Sequence, residues 1–195
     1  YKIAHDHAIG DFFGVLDADD MILPGAVEMV CNVYKYIPSI AYVYTQFQIC
    51  DAKMTLLKPG FCTCPPPGKS LLDLGVDRMH AFSHWRTFST RLSNPKKIWK
   101  EGLKCAVDKY MAYRLEEMGY GVFFNRICYS YRQSVKNSIS LVERTKLNWA
   151  RIMKDAAGRR RKYGLHCSAG GLPLQASLPI FLEFQEAGAM MSLSH

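Results

Sequence analysis

The sequence predicts an α/β domain. An apolar run over residues 12–16 is bounded by Gly10 and Pro24 and lacks helical spacing, which is typical of a short buried strand. Residues 40–49 are rich in β-branched and aromatic side chains and predict a second strand. Between the two, apolar residues recur at helical spacing as far as Tyr36. Strands and helices therefore alternate, as they do in α/β folds.

The remaining elements follow from local patterns. Residues 1–9 predict a short helix that Gly10 ends, and Pro24 suits the first turn of the next helix. Residues 54–57 predict a hairpin partner of the second strand, and the proline-rich residues 58–69 predict a loop. We expect Leu147, Ala150, Met153 and Ala157 to form the apolar face of the last helix, with a solvated basic end at 159–162. The alternative for this basic end is contact with an anionic polymer or a membrane surface. The later elements are a helix over 70–76, a strand over 81–88, a helix over 106–118 and a helix over 141–163. Residues 121–124 and 127–131 predict either two short strands or one strand and its continuation.

Composition is that of one main globular domain. The 195 residues are 49% hydrophobic and 22% charged, and no run of eighteen apolar residues predicts a membrane span. The net charge of +8 suits an anionic partner. Nucleic acid is not expected, because neither a groove-reading basic helix nor an aromatic RNA-binding signature is present. Seven cysteines at irregular spacing favour a reducing compartment, so we expect a cytoplasmic location, with any membrane contact made at the inner face by segments outside this chain.

The acidic segment after the first strand is the strongest chemical signal. Asp17 and Asp19 are two residues apart, so in extended chain they point to the same side and their charges repel. A divalent cation between them relieves that repulsion, and oxygen ligands favour Mg²⁺ or Mn²⁺, which often bind substrate phosphates as well. The alternative is that these residues only form a turn and cap the next helix.

Four segments carry motifs that occur in this order: Leu16-Asp17-Ala18-Asp19-Asp20 with Pro24, then Ser83-His84-Trp85-Arg86-Thr87-Phe88, then residues 106–119, then Asn125-Arg126-Ile127-Cys128-Tyr129 with Asn137-Ser138. Together they resemble inverting family 2 glycosyltransferases of the GT-A fold over residues 1–150. The resemblance implies a Rossmann-like mixed sheet flanked by helices. The second segment resembles the H-[FW]-R-x-F motif of bacterial chondroitin and hyaluronan polymerases. The third is similar to the helix that carries the catalytic base of that family.

The resemblance implies a role for each motif. Asp17 and Asp19 would hold Mn²⁺ or Mg²⁺ and, with Asp20, the donor, a nucleoside-diphosphate sugar and specifically a UDP-sugar. Asp108 would be the base that deprotonates a hydroxyl of the glycan acceptor in a single displacement. His84 and Arg86 would bind the donor, and we expect all of these side chains around one cleft at the ends of the strands. From the residues alone, Asp108 would only complement its helix dipole.

Two departures from the family keep a second function open. The polymerases place a histidine three residues before the asparagine that matches Asn137, whereas this chain has Ser134, a poorer metal ligand. In the resembled fold, the strands and helices that hold the nucleotide base come before the acidic strand, whereas here the acidic strand is the first strand predicted. We therefore expect residues 1–163 to be the C-terminal part of a GT-A domain, incomplete at its N-terminus, and residues 164–195 to be a tail. The alternative function is a catalytically silent glycosyltransferase-like domain that binds a glycan or a protein.

Two further motifs are disfavoured. Cys62-Thr63-Cys64 could form a zinc site with His80 and His84, but a C-x-C pair followed by three prolines is not a usual zinc spacing. Gly68-Lys69-Ser70 ends like a phosphate-binding loop. It lacks the required first glycine, and the preceding prolines have no N–H groups to donate to a phosphate.

Overall fold

One mixed sheet dominates the computed structural model, which describes residues 1–66, 68–75, 81–103, 105–133 and 139–165. In this part of the chain the sheet has six strands, in the order β1-β5-β3-β6-β2, and β4 pairs with β3. The α/β prediction is confirmed. The strands are β1 (Phe12–Val15), β2 (Met21–Ile22), β3 (Ile40–Cys50), β4 (Leu56–Pro59), β5 (Arg86–Ser89) and β6 (Tyr120–Arg132), and the helices are α1 (Lys2–Asp6), α2 (Ala26–Tyr36), α3 (Pro95–Ile98), α4 (Val107–Glu116) and α5 (Ile139–Tyr163).

Strand directions bring several chain segments to one edge of the sheet. β5 is antiparallel to both β1 and β3, and β3 is parallel to β6. β1, β3 and β6 therefore run in the same direction, and their C-terminal ends lie at the same edge. Arg86 begins β5 at that edge, because it pairs with Val15 on one side and Tyr44 on the other. This is the usual ligand position in an open α/β sheet.

The core lies around β3 and α2. Residues 40–44 of β3 are all buried, as expected for a central strand with both faces covered. The predicted apolar stripe of α2 is also buried, which confirms the interpretation of its spacing. Tyr34 on α2 accepts the backbone N–H of Val43, 3.1 Å away, and pairs with Thr87 Oγ1 at 3.1 Å. The helix is thus fixed to both β3 and β5.

The predicted apolar face of α5 is wrong. Leu147 is 75% exposed, whereas Trp149, Ile152 and Ala156 are buried. The largest apolar side chain of the helix decides which face packs, because Trp149 donates from Nε1 to the Tyr113 hydroxyl of α4, 2.8 Å away. The solvated basic end is also wrong in part, since the next residue on the buried face is Arg160, whose side chain reaches Glu116.

Other differences concern element bounds. The expected helix over 70–76 is a single 3₁₀ turn at Leu72–Leu74. The strand expected over 81–88 is present but shorter, because β5 begins only at Arg86 and ends at Ser89. Of the two alternatives over 121–131, one continued strand is confirmed, as the bulged strand β6, whereas β2 and α3 were not predicted. Among the described helices, none combines the length and apolar character needed to cross a membrane. Most of the expected tail lies outside the described residues.

Candidate active site

The Arg86 side chain joins the two acidic motifs. It is buried, with Nη2 3.9 Å from Asp17 Oδ2 and Nη1 3.6 Å from Asp108 Oδ2. Asp17 follows β1 and Asp108 lies in the first turn of α4, so the sheet edge and the helix end meet at this arginine. The structure therefore places Asp17, Arg86 and Asp108 around one cleft.

A pocket of about 230 Å³ opens beside this arginine. Its charged lining residues are Arg86 and Asp108, and the rest of its wall is largely apolar or aromatic. The rings of Tyr1 and Trp99 stack on each other with centroids 5.5 Å apart. Such a mixture of apolar walls and a few charged groups is typical of small-molecule sites. The other lining residues are Val15, Ala106, Val107 and Met111.

Asp17 is held by two tyrosines. The Tyr1 hydroxyl donates to Asp17 Oδ1, and the backbone N–H of Asp17 donates to the Tyr129 hydroxyl oxygen, 3.2 Å away. Burial, reinforced by the contact with Asp17, raises the pKa of Tyr1 to about 12. Tyr1 therefore remains a hydrogen-bond donor at neutral pH.

Asp20 ties the acidic segment to the end of β6. The Tyr129 hydroxyl donates to Asp20 Oδ2 and the backbone N–H of Arg132 donates to Asp20 Oδ1, each over 2.7 Å. Burial raises the pKa of Asp20, and the hydrogen bonds from Arg132 and Tyr129 oppose that rise. Asp19, between these anchored carboxylates, is exposed.

His84 lies beside the two anchored carboxylates. Its ring stacks against Tyr129 and Tyr131, with centroids 4.9 and 5.1 Å apart and planes nearly parallel. Burial, helped by the positive charge of Arg86, lowers the pKa of His84 to about 3, so the imidazole is neutral. One ligand atom from each of Asp17, Asp20 and His84 lies within 4.8 Å of the other two. Two carboxylates and a neutral imidazole form a donor set that a divalent cation can use.

A buried lysine fixes the start of α4. Lys109 is buried, and its Nζ donates to the carbonyl of Ala81 over 2.6 Å and lies 5.1 Å from the ring centroid of Trp149. Burial lowers the pKa of Lys109. Because Lys109 is anchored in the interior, the preceding residue, Asp108, stays at the partly exposed rim of the pocket.

Sequence reasoning missed the aromatic residues of the site. Tyr129 contacts both Asp17 and Asp20, yet the sequence indicated it only as the last residue of the Asn125–Tyr129 motif, with no role assigned. Within the described ranges, the acidic and histidine cluster that could hold a metal contains no cysteine. His80 of the alternative zinc site lies outside those ranges, as do Ser134 and Asn137.

Comparison with known proteins bears on the whole arrangement. No family model matches the chain. It is 28% identical over 151 residues to a chondroitin synthase of Escherichia coli, which covers 77% of this chain and 21% of that protein. The chain carries a glycosyltransferase-like domain. The domain is also 27% identical over 155 residues to a chondroitin synthase of Pasteurella multocida (strain Pm70), with coverage of 79% and 16%.

A hyaluronan synthase of Pasteurella multocida is 28% identical over 123 residues, or 63% of this chain and 12% of that protein. The resemblance predicted from the four motifs is thus confirmed. The glycosyltransferase-like domain spans about a fifth or less of the length of these curated relatives.

Proposed function

We propose that this domain is the catalytic part of a metal-dependent inverting glycosyltransferase. It would move a sugar from a nucleoside-diphosphate donor, specifically a UDP-sugar, to a hydroxyl of a glycan acceptor. The observation that carries the proposal is the position of Arg86 between Asp17 and Asp108 at the rim of a pocket. The similarity to chondroitin and hyaluronan synthases supports the same class of reaction.

Asp108 is the base in this proposal. Its carboxylate lies at the pocket rim, where an acceptor hydroxyl can approach it from the pocket side. Transfer by single displacement needs a group that removes the hydroxyl proton as the oxygen attacks the sugar carbon. The contact with Arg86 is long, at 3.6 Å, so Asp108 retains oxygen lone pairs for that proton.

Arg86 and the acidic segment serve the departing diphosphate. The Arg86 guanidinium is buried at the sheet edge, where its fixed positive charge can face a phosphate oxygen. The carboxylates of the acidic segment fit Mn²⁺ or Mg²⁺, which when bound would neutralise the charge that develops on the diphosphate. Exposed Asp19 is placed by resemblance beside the donor, and its role remains a prediction.

A transfer assay tests the proposal on this chain and on any longer natural form of it. A panel of UDP-sugars with short glycan acceptors should give a product that needs Mn²⁺ or Mg²⁺ and is lost with a chelator. The new glycosidic bond should have the anomeric configuration opposite to that of the donor, as seen by NMR. Glycan binding without transfer from any donor would instead support the silent binding domain.

Substitution of Asp19 tests the donor side separately. Asp19→Asn removes a charged oxygen beside a hard cation, so it should weaken metal-dependent UDP binding, measured by calorimetry with and without Mn²⁺. Asp11→Asn, at an exposed position before β1, is the matched control and should leave binding unchanged. Equal affinities in both variants would remove Asp19 from the donor site.

A further inference from the structure

We propose that His84 is a direct metal ligand, and that the divalent cation binds between the carboxylates of Asp17 and Asp20 and the imidazole of His84. The sequence predicts a different set, in which Asp17 and Asp19 hold the metal and His84 binds the donor. The proposal deepens the function proposed above and rests on it for the identity of the second ligand, a nucleoside diphosphate. The positions of the three side chains do not depend on the proposed function.

The spacing of the three side chains suits one cation. Their ligand atoms all lie within 4.8 Å of one another. Atoms on opposite sides of Mg²⁺ or Mn²⁺ are about 4 Å apart, so small side-chain movements would bring all three into contact with a single ion. Asp17 and Asp20 come from the segment after β1, and His84 comes from the segment before β5. An ion here would join two parts of the chain at the sheet edge.

The hydrogen-bonding state of His84 also points to a ligand. Its Nδ1 atom is buried and has no hydrogen-bond partner within the described residues. A buried polar atom without a protein partner is uncommon, and such atoms often bind a water molecule or an ion. The ring is held in place by stacking against Tyr129 and Tyr131 rather than by hydrogen bonds. The stacking therefore fixes the position of the imidazole ring and leaves Nδ1 able to bind a metal ion.

The neighbouring groups orient the two carboxylates. The Tyr1 hydroxyl donates to Asp17 Oδ1, and the Tyr129 hydroxyl accepts the backbone N–H of Asp17 and donates to Asp20 Oδ2. The Arg132 N–H donates to Asp20 Oδ1. Such outer contacts commonly orient metal ligands, and each carboxylate oxygen keeps a further lone pair for an ion. Two negative charges and a neutral ring would balance a divalent cation, which leaves the positive charge of Arg86 for the diphosphate.

A nitrogen ligand predicts a preference among cations. Imidazole favours transition metals, whereas Mg²⁺ prefers oxygen ligands alone. We therefore expect the site to bind Mn²⁺ or Co²⁺ more tightly than Mg²⁺. Loss of the imidazole should reduce Co²⁺ affinity more than Mg²⁺ affinity.

The direct test is pulsed EPR on the unmodified protein with Mn²⁺ and UDP. Protein labelled with ¹⁵N-histidine should show electron-spin-echo modulation from an imidazole nitrogen bound to Mn²⁺. His84→Phe keeps an aromatic ring between the two tyrosines but removes the nitrogen atoms. It should abolish the modulation and weaken Mn²⁺ binding by at least about tenfold, since loss of even an outer contact can cost that much.

His7→Phe is the matched control, because His7 is exposed and lies outside the cluster. It should keep both the signal and the affinity. Mn²⁺ bound to the unmodified protein without nitrogen modulation, or no Mn²⁺ binding at all, would overturn the proposal even if the variant fails to fold. Nitrogen modulation without sugar transfer would support this metal site and contradict the proposed function. Sugar transfer without nitrogen modulation would support the proposed function and contradict this metal site.

Discussion

Helix α4 has an acidic–basic group at each end, and the two groups differ in burial and in contact length. At its start, Arg86 lies 3.6 Å from Asp108 and 3.9 Å from Asp17, and these carboxylates are 39% and 31% exposed. At its end, Glu116 lies 2.7 Å from Arg160 and Glu117 lies 2.9 Å from Arg159, with the two glutamates 4% and 3% exposed. The first group borders a pocket, and the second is enclosed by α5.

These differences in burial and contact length distinguish a candidate ligand site from a structural contact between α4 and α5. Glu116 also accepts the backbone N–H of Leu71 over 2.7 Å, and Arg160 donates to Ser70 Oγ over 3.1 Å. The enclosed charges are thus hydrogen-bonded within the protein, as buried charges must be to remain stable. The open carboxylates lie at longer distances from their arginine, and although Asp17 Oδ1 also accepts the Tyr1 hydroxyl, both carboxylates keep lone pairs for a ligand. Short pairs at one end of the helix hold in place the residues that are loosely paired at the other.

Asp108→Asn should have the largest functional effect. The change keeps the side-chain size but removes the base, so sugar transfer should fall by roughly 10²–10⁴-fold while UDP and Mn²⁺ affinities stay nearly unchanged. Transfer rates and calorimetric binding constants measure the two effects. The unfolding free energy should change little, because the Asp108–Arg86 contact is long and partly exposed. Equal, small effects on transfer and binding would remove Asp108 from the base role.

Arg160→Met should have the largest effect on stability. It leaves Glu116 buried without its ion pair, which typically costs about 3–5 kcal/mol of unfolding free energy. Urea denaturation followed by circular dichroism measures this. Lys100→Met is the control, because the Lys100–Asp155 pair is of similar length, 3.0 Å, but more than a third exposed on both sides, and it should cost less than about 1 kcal/mol. Similar losses in both variants would contradict the distinction between the two ends of α4.

The same contrast shows what sequence could predict. α2 and β3 were predicted correctly because helical periodicity and β-branched composition are local properties of the sequence. The burial of Arg160 could not be read from the sequence. A run of four basic residues ordinarily ends a helix in solvent, and the glutamate that buries this one lies 44 residues away.

The candidate site also has parts that the sequence predicts and parts that it does not. The acidic motif and the helix with Asp108 were identifiable from the sequence, and the meeting of Asp17 with Arg86 depends on antiparallel pairing of β1 with β5. The stacking of His84 with Tyr129 and Tyr131 depends on how β5 and β6 pair with β3 between them. No local pattern of the chain contains that information.

The smallest expected effect is the dependence of stability on pH at the enclosed end of α4. Burial raises the pKa of Glu116 from 4.5 to about 6, although Arg160 opposes the rise. The folded protein then binds a proton more tightly than the unfolded chain, so the contribution of this group is fully present below pH 4.5 and is lost as pH rises through about 6. Glu116→Gln should remove that component.

The measurement is the difference in unfolding free energy between the unmodified protein and Glu116→Gln across pH 4 to 7. Relative to the variant, the unmodified protein should lose stability as pH rises through this window. Glu28→Gln, at an exposed position of α2, controls for the change in net charge. A difference that grows with pH would mean that the ion pair with Arg160 outweighs burial, so that Glu116 is held ionised.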